Sequence, residues 1–110
     1  MVLEIVALRV HPGEQSAFEQ AFEKARRLLP GIEGYQSHEL RRSLDADDAY
    51  VLLTEWRAIE SVTLGFRKSR EFVRWHELLA SFVQTAPQIG YFGVDIHRDE
   101  LETSGSRTID

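Results

Sequence analysis

AYVLLTEWRAIESVTLGFRKSREFVRWHELLASF, residues 49 to 82, changes its period twice, and that change decides the fold. Tyr50, Val51, Leu52, Leu53, Thr54 and Trp56 form a short run apolar on both faces, which reads as a strand covered on both sides. Beyond Arg57 the apolar positions Ile59, Val62, Thr63 and Phe66 recur at helical spacing. Ser69 interrupts them, and Phe72, Trp75, His76, Leu79, Phe82 and Val83 form a second helical stripe. A serine at the start of a helix accepts from the free amides of the next turn, so Ser69 suits an N-cap. The pattern predicts a short helix, a break at Arg67 to Ser69, and a longer helix to about Thr85, stopped by Pro87.

Upstream, VLEIVALRV (Val2 to Val10) is apolar at nearly every position and reads as a sandwiched strand, with Leu3, Ile5 and Ala7 on one face and Val2, Val6, Leu8 and Val10 on the other. Pro12-Gly13 turns the chain. Ala17, Phe18, Ala21, Phe22, Ala25, Leu28 and Leu29 then mark the apolar side of a helix from about Gly13 to Leu29, ended by Pro30-Gly31. Tyr35 to Ser43 reads as a more polar strand, at an edge or against a partner, and Asp45-Ala46-Asp47-Asp48 returns it to the Ala49 strand as a hairpin. Downstream, Gly90 to Ile96 reads as a last strand, and Arg98 to Asp110 is a polar stretch suited to a mobile tail or an arm on another subunit.

The order is strand, helix, strand, strand, helix, strand. Two helices covering one face of a four-stranded antiparallel sheet give an α+β, ferredoxin-like split-βαβ domain over residues 1–97, followed by the 98–110 tail. Two helices leave the other face uncovered, and Val2, Val6, Leu8, Val51, Leu53, Phe92 and Val94 are expected on or near it. An apolar face of that size implies a partner, most simply a second copy about a two-fold axis.

Composition narrows the functions. The chain has 110 residues, 43% of them hydrophobic, enough for one core. A net charge of −5 argues against nucleic-acid or anionic-membrane partners, which need clustered uncompensated cations. Cysteine is absent, which excludes disulfides, thiolate nucleophiles and zinc ribbons. The first ten residues lack a signal-peptide pattern and no window approaches the ~20 apolar residues of a membrane span, so the cytoplasm is the expected compartment. No histidine pair has helical metal-site spacing, and phosphate-loop, dinucleotide and nucleophile-elbow motifs are missing.

Pro12-Gly13, Gly34-Tyr35, YVLLTEW at Tyr50 to Trp56, and Phe66, Ser69, Phe72 and Trp75-His76 occur in an order and spacing that resembles the antibiotic biosynthesis monooxygenase domain, a dimeric α/β-barrel family. The resemblance runs from about Val2 to Ile96. It implies homodimers with a pocket in each subunit between sheet and helices. It also implies a range of chemistry: cofactor-independent oxidation of phenols, anthrones or quinols to quinones, haem degradation, and action on a small sugar-like signal. The haem-degrading members rely on an Asn in the first strand, a Trp in the split helix and a His after it. Aligned through Arg67-Lys68-Ser69, those positions hold Ala7, Phe66 and His76, so two of the three are absent.

A cofactor-free oxygenase asks its protein for a dry aromatic pocket, a base, and donors that stabilise a phenolate or enolate. His76, an imidazole on an otherwise apolar stripe, is the first candidate base; a core or rim histidine bonded to a carbonyl fits the same pattern. His38, whose strand face also carries Gln36 and Leu40, is the second. Phe66, Phe72 and Trp75, with Tyr50, Trp56 and Tyr91, fit the walls of a planar-ligand pocket, although helical aromatic stripes also arise from core packing. Thr54 and Tyr50, on the Trp56 face, are the candidate hydroxyl donors. Arg67, Lys68, Arg70 and Arg74 make a basic patch that reads either as a pocket mouth for an acidic ligand or as a solvated face paired with Glu71 and Glu77. These features predict a cofactor-independent monooxygenase acting on a small planar aromatic. A ligand-binding or haem-binding protein without turnover, a haem-degrading enzyme, and a dimerisation module with a filled pocket are the alternatives.

Overall fold

The two most apolar runs pair at the centre of the sheet. In the computed structural model, which describes residues 1–101, β1 (Val2–Arg9) and β3 (Ala49–Trp56) run antiparallel with Val2 opposite Trp56 and Arg9 opposite Ala49. β2 (Tyr35–Arg42) and β4 (Gln88–Phe92) flank them, giving the antiparallel order β2-β3-β1-β4. α1 (Gln15–Ala25) and α2 (Arg70–Leu79) pack against one sheet face, so the architecture is the ferredoxin-like α+β one. The polar strand β2 is an edge, as its composition suggests.

Local chemistry sets the boundaries. The His11 carbonyl accepts from the Glu14 amide at 3.1 Å across Pro12-Gly13, and Gly13 takes the positive φ of 86° that such a turn demands. α1 is shorter than its apolar stripe: from Arg26 the chain tightens into a 3₁₀ turn to Gly31, since Pro30 has no amide to continue an α-helical ladder. Ser69 caps α2 as expected, its Oγ accepting from the Phe72 amide at 3.1 Å. α2 ends at Leu79, and Ala80–Phe82 form a 3₁₀ turn. Val83 is already extended and bridges to Val10, so tertiary pairing ends the helix before Pro87 does.

The strand faces correct the expectation from sequence. Val2, Glu4, Val6 and Leu8 lie on the helix side with Tyr50, Leu52, Thr54 and Trp56, because Val2 pairs with Trp56, Glu4 with Thr54 and Leu8 with Tyr50. The uncovered face carries Leu3, Ile5, Ala7, Val51, Leu53 and Phe92. Alternation separated the two sets correctly, but β1 is apolar on both, so its period could not say which set meets the helices. β4 also begins two residues earlier than expected and stops at Phe92; Val94 and Ile96 are exposed, beyond the last strand pairing. Gly93 to Leu101 is irregular, and the rest of the polar tail lies outside the described residues.

Two clusters form the interior. Val10, Phe18, Phe22, Ala25, Tyr50, Leu52 and Leu79 pack at one end, and Leu29, Ile32, Trp56, Val62 and Phe66 at the other. Complete burial of each such side chain contributes about 1.5–3 kcal/mol. Among the described residues no helix is long and apolar enough to cross a membrane.

Candidate functional site

Between the two clusters the sheet and helices enclose a cavity of about 480 Å³, within the range of small-molecule sites. Val6, Leu8 and Leu52 form its floor on the sheet, and Phe66, Phe72 and Trp75 its roof. The roof exists because the helical segment is broken. Ser61–Gly65 is a π-helical turn, Phe66–Lys68 a 3₁₀ turn, and α2 restarts at Arg70. The Ser69 hydroxyl joins the pieces, donating to the Phe66 carbonyl at 2.6 Å while accepting from Phe72. That break turns Phe66 inward, with its ring 5.7 Å from Trp56, 5.2 Å from Phe72 and 5.5 Å from Trp75, the last two edge-on. Edge-on aromatic packing of this kind leaves flat ring faces as walls.

The carboxylate at the polar end of the cavity was not foreseen. Glu4 is only 6% exposed, and its Oε1 accepts from the Trp56 indole at 3.0 Å. Its Oε2 accepts from the Arg67 guanidinium at 3.1 Å. Arg67, expected on a solvated or mouth-lining patch, instead reaches inward and lies over the Tyr91 ring at 6.0 Å from its centroid. Arg74, by contrast, follows the solvated reading and pairs with Glu77. Tyr91 sits opposite Glu4 in the β1–β4 ladder, and burial, reinforced by the Glu4 charge, raises its phenol above the usual range. Thr54 lies opposite Glu4 on β3, buried, and lines the same cavity. One signal in the sequence pointed here: Glu4 is the only acidic residue in VLEIVALRV, in phase with Val2, Val6 and Leu8. A carboxylate in that phase is buried with a partner or not at all.

Phe66, Phe72, Trp75, Trp56, Thr54 and His76 are brought to the one cavity. His76 stands at its mouth, exposed, where the sequence pattern had placed it on a buried stripe. Tyr50 is buried on the correct sheet face but outside the cavity lining, its phenol donating to Glu19 at 2.6 Å. That bond and burial hold its ionisation above the usual range, burial first.

His38 also lies outside the lining. A β-bulge at Gln36 brings Tyr35 and His38, three residues apart, onto the same helix-facing side. The Tyr35 hydroxyl and His38 Nδ1 share a 2.7 Å hydrogen bond, and the imidazole meets the Phe22 ring edge-on. Burial lowers its pKa, with the Arg26 charge acting in the same direction. The bulge also removes Gln36 from the face it was expected to share with His38; Gln36 is exposed.

Ala7 is corrected outright. It is exposed on the uncovered sheet face, on the side away from the cavity. An alignment of the first strand one residue out of phase exchanges its two faces, and Val6 and Leu8 are the cavity-facing neighbours.

A ferredoxin-like domain with an aromatic cavity roofed by a broken helix is the class that fold and site define. The sequence profile of the antibiotic biosynthesis monooxygenase family matches residues 1–78, and the chain belongs to that family. It is 36% identical over 92 residues to the uncharacterized protein YczJ of Bacillus subtilis strain 168, covering 84% of this chain and 97% of YczJ. A Bordetella bronchiseptica structure described under the same family name superposes with a TM-score of 0.83 at 27% identity, covering 86% of this chain and 97% of that one. SnoaB from Streptomyces nogalater, a cofactor-independent oxygenase, superposes with a TM-score of 0.77 at 21% identity over 90% of this chain and 97% of SnoaB. At that identity the likeness to SnoaB is one of fold.

Proposed function

We propose that this protein is a homodimeric, cofactor-independent monooxygenase that oxidises a small planar aromatic, a quinol, anthrone or polyketide phenol, with O₂. The observation that carries the reading is the cavity itself: about 480 Å³, apolar on floor and roof, with Glu4, Arg67 and Thr54 together at one end and His76, Gln84 and Thr85 also in its lining. A deprotonated electron-rich ring gives one electron to O₂, the radical pair recombines, and the hydroperoxide loses water to leave the quinone. Such chemistry needs a largely apolar environment and stabilisation of an anion, and the apolar walls and the Arg67 guanidinium support both. Phe66, Phe72, Trp75 and Trp56 hold the ring, Thr54 donates to a substrate oxygen, and His76 at the mouth passes protons to and from solvent.

Membership of the family and the cofactor-independent oxygenase activity of SnoaB support the same reaction class. The homodimer forms through the uncovered face, where Leu3, Ile5, Val51, Leu53 and Phe92 make a continuous apolar surface. The test is oxygen uptake with anthrone and with dihydroxynaphthalenes, following quinone absorbance. The reading expects one O₂ consumed per quinone formed, without added metal or flavin. Both tryptophans of the chain line the cavity, so quenching of their emission reports occupancy independently. Saturable quenching with no protein-dependent uptake across the panel would replace the oxygenase by a binding protein.

A further inference from the structure

Glu4 and Arg67 are the only carboxylate and the only guanidinium lining the cavity among the described residues. They touch each other on its wall. Glu4 is buried and Arg67 one-third exposed, and a pair of that kind is a costly way to fill a strand position that Val or Leu would fill. The pair is also incompletely used. Glu4 Oε1 holds Trp56 and Oε2 holds Arg67, the Tyr91 phenol lies against the same carboxylate, and a carboxylate has about four acceptor positions. Arg67 contributes one of its five N–H donors to Glu4. A proton acceptor and an anion donor thus stand one hydrogen bond apart at the edge of an apolar cavity sized for a small ring system.

From this geometry we infer that Glu4 is the catalytic proton acceptor and Arg67 the residue that holds the resulting oxyanion, for aromatic ketones with an acidic benzylic C–H. The inference deepens the oxygenase reading and rests on it for every step after proton removal. In the step itself the benzylic C–H bond breaks and an O–H bond forms on a Glu4 oxygen. The C–H electron pair moves into conjugation with the carbonyl, directly in 2-tetralone and through the ring in an anthrone, leaving the charge on the former carbonyl oxygen. Glu4 is then neutral, and Arg67 exchanges its carboxylate partner for the enolate. The buried site holds one anion and one cation before and after, so at no stage is a desolvated charge left alone. A carboxylate base beside a preorganised oxyanion donor is an established arrangement for enolisation. Trp56 acts as a positioning residue, fixing the carboxylate through Oε1.

The test removes O₂, so that proton transfer is read alone. 2-Tetralone is incubated with the protein in deuterated buffer under anaerobic conditions, and loss of its C1 methylene signal is followed by proton NMR. The wild type is expected to exchange faster than buffer. Glu4→Gln, which removes the base and keeps one acceptor oxygen for either Trp56 or Arg67, is expected to lose at least about 100-fold, the usual effect of a general base. Glu4→Asp restores part of the rate, and Arg67→Met loses at least about tenfold. Far-ultraviolet circular dichroism and saturable tryptophan quenching at the assay temperature show that fold and occupancy survive. A wild type no faster than buffer overturns the inference, as does Glu4→Gln exchanging at the wild-type rate. Exchange without any oxygen uptake on anthrone would remove the oxygenase reading and leave Glu4 as the base.

Discussion

The carboxylate of Glu4 accepts from the guanidinium of Arg67 at 3.1 Å, tying the first strand to the break between two helical segments 63 residues away. The same carboxylate holds the Trp56 indole at 3.0 Å, so one side chain fixes the sheet, the helix break and one aromatic wall. Among the described residues no buried side-chain polar atom lacks a partner, and Glu4 satisfies two. Glu4→Ala would leave the Trp56 N–H and Arg67 unpaired. The expected loss is about 3 kcal/mol in urea unfolding, at the low end for a broken buried pair because Arg67 is one-third exposed and water reaches it. The double variant Glu4→Leu with Arg67→Met should recover most of that loss while abolishing turnover. A stable, fully active Glu4→Ala would show that the pair serves neither purpose.

Phe66 touches three other rings and is nearly buried, so Phe66→Ala removes roof and core together. Large-to-small aromatic changes at such positions cost about 3–5 kcal/mol. The melting temperature should fall accordingly, and the widened cavity should lower kcat more than it raises KM, because the ring is no longer held flat. Phe66→Leu, which keeps part of the apolar volume without the aromatic edge, should recover about half of the stability. A Phe66→Ala protein that melts like the wild type would mean that the helix break is not what shapes the cavity.

Stability should fall on acidification through His38. Burial depresses its folded-state pKa, while the unfolded imidazole titrates near ~6.5. Above that value both states are neutral at this position and the full stability is present. As pH falls below it, the unfolded chain binds the proton first, and stability drops until the folded-state value is passed. Tyr35, Phe22, Arg26 and Glu23 surround the ring; Arg26 disfavours the charged form and Glu23 favours it. His38→Gln should flatten the dependence of urea midpoints between pH 7 and 5. An unchanged slope would assign the acid sensitivity to other groups.

The fold was legible because its signals are local. The period changes at Arg57 and Ser69, the Pro12-Gly13 turn and the hairpin acids each act within a few residues. Gly34 illustrates the limit of that legibility. Its place before β2 marks a turn, but only the structure shows that a Cβ there would fall 2.1 Å from Ser61 Oγ, in addition to the strain at φ +93°. The site was half legible for the same reason. Helical spacing gathers Phe66, Phe72, Trp75 and His76, whereas Glu4 meets Arg67 only through strand pairing and a helix break that no short window contains. Ala7 was misplaced, and Val6 and Leu8 assigned to the wrong face, because a strand apolar on both sides carries no phase.

That corrected phase changes which substitutions probe the proposed dimer. Leu53, Leu3 and Ile5 lie together on the uncovered face, with Phe92 56% exposed beside them across β1. Ser37 bonded to Glu55 and Glu39 paired with Arg41 border them on the β2 side, a polar rim around an apolar centre. Leu53→Asp should therefore convert a dimer to a monomer in sedimentation velocity while far-ultraviolet circular dichroism stays unchanged, since the aspartate is solvated once the partner leaves. Val6→Asp should behave oppositely. It places an unpaired charge on the cavity floor, so it should lower the melting temperature and ligand quenching without dissociating the dimer. If Leu53→Asp sediments as the wild type does, the two copies meet through another surface and the apolar sheet face needs a different occupant.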